Sequence, residues 1–294
     1  MELLEVAKRA AAAGAAVISE NVDKPRSIEY KGTIDLVTNT DKASEEAVLK
    51  VITDAFPNHA ILGEEGGVFG DTSSDYLWVV DPLDGTTNFA HSYPCFAVSV
   101  GVLRGGVPVA GVVVEFAGGR GSWVQRTYSA TRGGGAHLGG TRISASACSD
   151  LQRALLVTGF GYEHDEAWAA NLELFKHFTD VTQGVRRLGA AAVDLCHVAL
   201  GIVDGYWEYR LKPWDLAAGV LIAEEAGALV TTMDGEPFSV FSRSVLAANE
   251  GVHGAIVART RAATTALAAE GMDFSPWFVP QGYRIKAISD EPES

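Results

Sequence analysis

Cysteine is scarce and unpatterned in this sequence. Cys95, Cys148 and Cys196 are scattered, odd in number and without CxxC spacing. That excludes a disulfide framework and fits a reducing compartment, with each thiol read as a small core residue. Histidine is also thin: seven residues, with no HExxH and no paired spacing, so they read as structural or surface groups. Positive charge is in deficit, with 23 Lys and Arg against 37 Asp and Glu and a net charge of −14. No basic block breaks that balance. A field of this sign repels phosphate backbones, so no nucleic-acid partner is expected. It also means that a phosphate ligand needs cations supplied at its site. Long apolar runs are missing as well. The most apolar region, residues 94–116, is cut by Arg104, Gly105-Gly106 and Glu115. Nothing approaches the ~18 uninterrupted apolar residues of a membrane span. No secretory h-region opens the chain, and Glu2 and Glu5 argue against a retained transit peptide. GxxxxGK[ST] is absent, and the glycines of residues 133–140 complete no GxGxxG, so they read as tight turns.

What is present is an ordinary globular composition, 47% apolar and 20% charged over 294 residues, enough for one large domain or two packed halves. Residues 2 to about 20 read as an Ala-rich helix, and residues 42–55 as another, with Ala43, Ala47, Val48, Val51 and Ile52 on its apolar face. Asp41, just before it, taken alone reads as an N-cap or first-turn acid. Residues 60–63 read as a short strand ending in Glu64-Glu65, followed by a Gly/Ser/Asp-rich loop to Asp75. That acidic pair alone reads equally as a solvated turn. From Cys95 to about residue 140 the period is two, with turn signals between runs, which predicts antiparallel hairpins. After Ala154 helix and strand patterns alternate, which predicts an α/β layer packed on the more antiparallel first half. The expected organisation is an N-terminal half over 1–150, a C-terminal half over 151–270 and a tail over 271–294.

The chain is organised around residues 78–89, Trp-Val-Val-Asp-Pro-Leu-Asp-Gly-Thr-Thr-Asn-Phe. An aromatic and β-branched run, 76–80, reads as a buried strand that stops at Asp81 and turns at Pro82, which has no N–H for a ladder. Asp84 follows three residues after Asp81, near enough across a tight turn for both carboxylates to face one cation. Gly85 lacks a Cβ, so a ligand oxygen can approach the backbone of the short helix or turn that it opens. Cation ligands and an anion cradle at one junction are what metal-assisted phosphate chemistry requires.

These residues resemble the inositol monophosphatase family of metal-dependent, lithium-sensitive phosphatases. The resemblance is carried by Gly63-Glu64-Glu65-Gly66, by the 78–89 string and by Pro213-Trp214-Asp215-Leu216-Ala217-Ala218-Gly219, over residues 28 to 258. It implies an α+β fold, a layered α-β-α-β-α sandwich of the type shared with fructose-1,6-bisphosphatase. It implies two to three Mg²⁺ per subunit, a first held by Glu64, Asp81 and the Leu83 carbonyl and a second by Asp81, Asp84 and Asp215. Glu64 would hold a weaker third, helped by Glu65. These are hard oxygen ligands, suited to Mg²⁺ rather than zinc. Asp41 and Thr86, with Glu64, would orient and deprotonate the attacking water. The Gly85 and Thr86 amides would hold the phosphate, Asp84 and Asp215 would also face the substrate, and Glu208 and the Ala191 backbone would touch its hydroxyls. Lys31 falls where the family carries a lysine near the phosphate. The partner implied is a small phosphate monoester, the assembly a homodimer, and the activity Mg²⁺-dependent hydrolysis of myo-inositol 1-phosphate.

The residues after about 270 go beyond the family's usual end and look like plastid members of plants or algae. The expected location is therefore soluble and intracellular, in the cytoplasm or the chloroplast stroma. Alternatives are a related sugar-phosphate or histidinol-phosphate phosphatase, or a protein-interaction role like that of some bacterial relatives. The acidic balance weighs against RNA contact but not against protein contact.

Overall fold

Alanine spacing makes the first layer. In the computed structural model, which describes residues 2–24, 28–30 and 36–285, helix α1 (Glu2–Asn21) buries Val6, Ala7, Ala10, Ala11, Ala15 and Ile18 on one stripe. Strands β1 (Ile28–Tyr30) and β2 (Leu36–Thr38) pair as a small antiparallel ribbon. Helix α2 (Asn39–Ala55) starts two or three residues earlier than its apolar face suggests, because Thr38 is its N-cap and Asp41 completes a capping box.

The strands that follow are β3 (Ala60–Gly63), β4 (Gly67–Phe69) and β5 (Tyr76–Asp84), then, after the short helix α3 (Thr86–Ala90), β6 (Phe96–Arg104), β7 (Val107–Ala117), β8 (Val124–Thr131), β9 (Gly135–Leu138) and β10 (Thr141–Arg142). They form one eight-stranded sheet in the order β10-β9-β8-β7-β6-β5-β3-β4. All neighbours are antiparallel except β3 and β5. The loop expected after Glu65 contains β4, a three-residue partner for β3 set in an otherwise polar stretch.

One expectation fails in an informative way. The β5 strand does not stop at Val80 but continues through Pro82 to Asp84. Its pairing with β6 runs to Asp81↔Ser99 and resumes at Asp84↔Ala97, so β5 carries one residue more than its partner across the break. This is a β-bulge, where a proline without an N–H is tolerated.

The second half supplies β11 (Leu155–Thr158), α4 (Glu166–Val181), β12 (Gly184–Arg186), α5 (Ala191–Ala199), β13 (Gly205–Tyr209), α6 (Pro213–Glu225), β14 (Leu229–Thr231), β15 (Ser244–Ala248) and α7 (Glu250–Ala269). Its five-stranded sheet runs β12-β11-β13-β15-β14, parallel among the first three and antiparallel beyond. The layers are α1 and α2, the large sheet, α5 and α6, the small sheet, then α4 and α7. This is the expected α-β-α-β-α sandwich.

Helix α6 is apolar all round, as its central position demands: residues 216 to 223 are buried without a break. It approaches the large sheet very closely. A Cβ on Gly101 of β6 would sit 2.6 Å from the Ala217 Cβ and 2.9 Å from the Ala217 carbonyl carbon. Only glycine lets the helix lie at this depth. The stretch after α7, read from sequence as a tail, packs back on the body as far as residue 285, and Tyr283 is buried there.

Candidate active site

A cleft of about 370 Å³ opens where the β5 bulge, the start of α5, the end of β13 and the start of α6 converge. Glu64, Asp81, Leu83, Asp84, Thr86 and Asp215 all line it, from three separate parts of the chain. Gly85, Ala191 and Glu208 line it too. Of the other residues expected here, Asp41 lies behind Thr86, and Glu65 lies outside the lining but near enough for its charge to act on Asp41. Lys31 lies outside the described residues.

The bulge residues are held by short-range geometry. The Leu83 N–H donates to Asp81 Oδ1 at 3.0 Å, closing an Asx turn around Pro82. The Ser44 hydroxyl donates to the Pro82 carbonyl at 2.8 Å and ties the turn to α2. Gly85 adopts φ 83°, and a Cβ there would meet the Cys95 carbonyl at 2.9 Å, so the position admits no side chain.

Asp84 is held by a different helix. Its Oδ1 accepts from the Ala191 N–H at 3.1 Å and its Oδ2 from the Ala192 N–H at 2.8 Å. Ala190, the residue before α5, has no side chain to cap that helix. Asp84 does so from more than a hundred residues away in sequence. The Ala191 amide is therefore engaged with protein, and only the rest of its backbone is left for a ligand. Asp215 sits in the first turn of α6, where its Oδ2 accepts from the Lys212 N–H at 2.7 Å.

Asp41 joins both readings offered by the sequence. Its Oδ2 accepts from the Thr38 N–H at 2.9 Å and the Thr38 hydroxyl at 2.5 Å, as a capping-box acid. Its Oδ1 lies 2.9 Å from the Thr86 hydroxyl, which is also 3.0 Å from the Leu83 carbonyl. One hydroxyl proton serves one of these acceptors at a time, so Thr86 is poised between them. Burial raises the Asp41 carboxyl above the usual range, against the pull of its Thr38 hydrogen bonds.

The acids press on one another. Burial first, then the charges of Glu64, Asp84 and Asp215, raise Asp81 well above an ordinary carboxyl. Burial brings Asp84 to about 7 in spite of its amide donors. Among the described residues no three acidic, His or Cys side chains are already drawn into a ready metal shell. The donor set nevertheless fits a hard divalent cation: oxygen throughout, and buried like charge acting on Asp81 from three neighbours.

Two functional candidates escaped the sequence reading. Glu45 of α2 is buried, and its carboxylate accepts from the Glu65 and Gly66 amides at 3.0 and 2.7 Å, fixing the Glu64-Glu65 turn. Asp194 lines the cleft at 1% exposure, and among the described residues neither carboxyl oxygen has a hydrogen-bond partner. Its one sequence signal is an acid on an otherwise apolar helix. Glu208 receives the Tyr206 hydroxyl at 2.6 Å, and burial raises it to about 7.

A model of the inositol monophosphatase family matches residues 1–265, and the chain belongs to that family. It is 64% identical over 284 residues to phosphatase IMPL1, chloroplastic, of Arabidopsis thaliana, covering 97% of this chain and 76% of that protein. It is 42% identical to an inositol-1-monophosphatase of Synechocystis, covering 85% of each. The solved inositol monophosphatase of Anabaena superposes with a TM-score of 0.77 at 40% identity, over 88% of this chain and 94% of that one. The activity is accordingly that of a Mg²⁺-dependent phosphatase acting on small phosphate esters. Among the described residues no helix is long and apolar enough to cross a membrane.

Proposed function

We propose that the substrate is myo-inositol 1-phosphate, hydrolysed to inositol and phosphate. The observation that carries this reading is the convergence of Glu64, Asp81, Asp84 and Asp215 on one cleft that Glu208 also lines. Glu64, Asp81, Asp84, Asp215 and the Leu83 carbonyl would hold two Mg²⁺, and a third would rest on Glu64 with help from Glu65. When bound, Mg²⁺ neutralises phosphate oxygens and lowers the pKa of water. The remaining work falls to the chain. Thr86 and Asp41 orient the attacking water, and Asp41, already raised by burial, takes its proton. The Gly85 and Thr86 amides receive the phosphoryl oxygens. Glu208 accepts from hydroxyls of the alcohol half, with Ala191 also lining the cleft. A homodimer is part of the same reading, and the name of the Arabidopsis relative supports a chloroplast location.

The test is phosphate release with Mg²⁺ from myo-inositol 1-phosphate, histidinol phosphate, fructose 1,6-bisphosphate and L-galactose 1-phosphate. The inositol ester should give the highest kcat/KM, and Li⁺ in the range of roughly tens of millimolar should inhibit, because a small hard monovalent ion enters a Mg²⁺ site with half the charge. A clear preference for another ester would replace the substrate, and full activity under chelation would overturn the metal assignment.

A further inference from the structure

The family model ends at residue 265, yet the chain continues as a strap that packs against Lys212 and Trp214, two residues lining the cleft. Arg243 anchors it, donating to the Ser275 carbonyl at 2.8 Å and pairing with Asp273 at 2.9 Å. The Trp277 main-chain N–H donates to the Phe241 carbonyl at 3.0 Å. At the far end the Tyr283 hydroxyl accepts from the Gly106 N–H at 2.8 Å, locking the strap to the β6–β7 turn. Between these ties, the Lys212 Nζ lies 4.3 Å from the Trp277 ring centroid and 5.6 Å from that of Phe278. Phe278 in turn packs edge-on against Trp214 at 5.2 Å, next to Asp215.

Lys212 lines the cleft, and its charge acts on Glu208. Among the described residues the ammonium makes one hydrogen bond, a long one of 3.4 Å to the Arg210 carbonyl. Three N–H donors are available on an ammonium, so at least two remain for a ligand. Arg210 and Phe278, on either side of it, have φ of 62° and 57°, conformations that L side chains rarely adopt and that persist where the surroundings impose them.

We propose that the strap belongs to the substrate-recognition wall. Trp277 is a positioning residue that holds the Lys212 ammonium beside Glu208, and the two read neighbouring hydroxyls of the alcohol half, Lys212 donating and Glu208 accepting. This rests on the reading of the substrate as a polyol phosphate. It adds that the discrimination between a hydroxyl-bearing alcohol and a plain one is set by a segment beyond the family's shared body.

The test uses the whole chain and two substrates, myo-inositol 1-phosphate and 4-nitrophenyl phosphate, which offers no hydroxyl. Trp277→Leu should lower the ratio of kcat/KM for the first over the second by about tenfold, the scale of one charge-assisted hydrogen bond, and the change should lie in KM for the inositol ester. Trp277→Phe keeps a ring under the ammonium and should recover most of the ratio. Lys212→Met should lower the ratio as far, and adding Trp277→Leu to it should change nothing more. Calorimetric titration of myo-inositol 1-phosphate with Ca²⁺ in place of Mg²⁺ should show the same loss in binding without turnover. An unchanged ratio in Trp277→Leu, an equal loss in Trp277→Phe, or additive losses in the double variant would each overturn the inference while leaving the substrate assignment standing. If the natural protein neither binds nor hydrolyses any hydroxyl-bearing ester, the substrate assignment falls and this inference with it.

Discussion

The two walls of the cleft hold buried charge in different ways. On the wall built from α2, the β5 bulge and the start of α5, the buried aspartates rest on main-chain amides: Asp41 on Thr38, Asp81 on Leu83, Asp84 on Ala191 and Ala192. On the wall built from β13 and the loop before α6, backed by the strap, Asp215 takes one main-chain amide, that of Lys212, while the recognition groups rest chiefly on side chains. Glu208 takes a tyrosine hydroxyl and Lys212 lies over an indole. Amides fixed by secondary structure cannot reorient, which suits chemistry that needs preorganised electrostatics. Side-chain supports can be exchanged one at a time, which suits recognition. The difference teaches where conservation of chemistry and variation of substrate can coexist in one site.

The comparison breaks hardest at Asp84. Asp84→Asn keeps shape but removes the charge, and kcat/KM should fall by roughly a thousandfold or more, the scale of losing a preorganised electrostatic element. The thermal midpoint should fall by no more than a few degrees, since one α5 amide keeps an acceptor, the other loses its own, and the crowding of like charge around Asp81 is relieved. Near-normal turnover would remove Asp84 from the proposed metal site. Thr86→Val keeps branching and volume while taking the hydroxyl from Asp41. It should lower kcat about a hundredfold with KM nearly constant, in keeping with a proton-transfer role. If kcat holds, Thr86 is only a turn residue.

Smaller effects sharpen the contrast. Gly101→Ala wedges a methyl between β6 and α6, and overpacking of this kind costs about 1–3 kcal/mol. Because α6 carries Asp215, Mg²⁺ affinity measured by activity titration should weaken along with stability. An unchanged metal requirement would show that α6 accommodates the methyl without moving Asp215. The smallest effect concerns Glu208. Its folded pKa of about 7 lies above the unfolded value of about 4.3, so the native state binds more protons between these limits. Stability without metal should then be greatest below about pH 4.3 as far as this group is concerned and be lost as pH rises toward 7. Glu208→Gln should flatten part of that slope, by a few degrees of thermal midpoint in the presence of a chelator. Parallel pH curves for the two proteins would mean that Glu208 does not carry the raised pKa.

Much of this molecule could be read before it was seen. The helices, the hairpins of the large sheet and the strand–helix alternation followed from apolar period and turn residues, because each buries one face against a neighbour. The spacing of Asp81 and Asp84 has a chemical reason, whereas Asp215 was reached only through the family resemblance; all three line one cleft. What escaped has physical reasons as well. Nothing local distinguishes β4 from a polar loop, since its pairing partner decides. Asp194 sits in an apolar helix with no motif around it. Trp277 looked like a tail aromatic because its partner, Lys212, lies far away in sequence. Glu45 has no local signal, and only the fold brings it onto the Glu65 and Gly66 amides.

The extra residue in β5 also settles a question of parity. Side chains alternate across a regular strand, so two residues separated by three positions point to opposite faces. Asp81 and Asp84 are three apart, yet both line the cleft. The bulge at Pro82 supplies the missing step and returns Asp84 to the face of Asp81. An uninterrupted ladder would have sent one of the two acids into the apolar layer behind the sheet. The odd spacing of the two aspartates is thus a record, written in the sequence, of a strand that miscounts once.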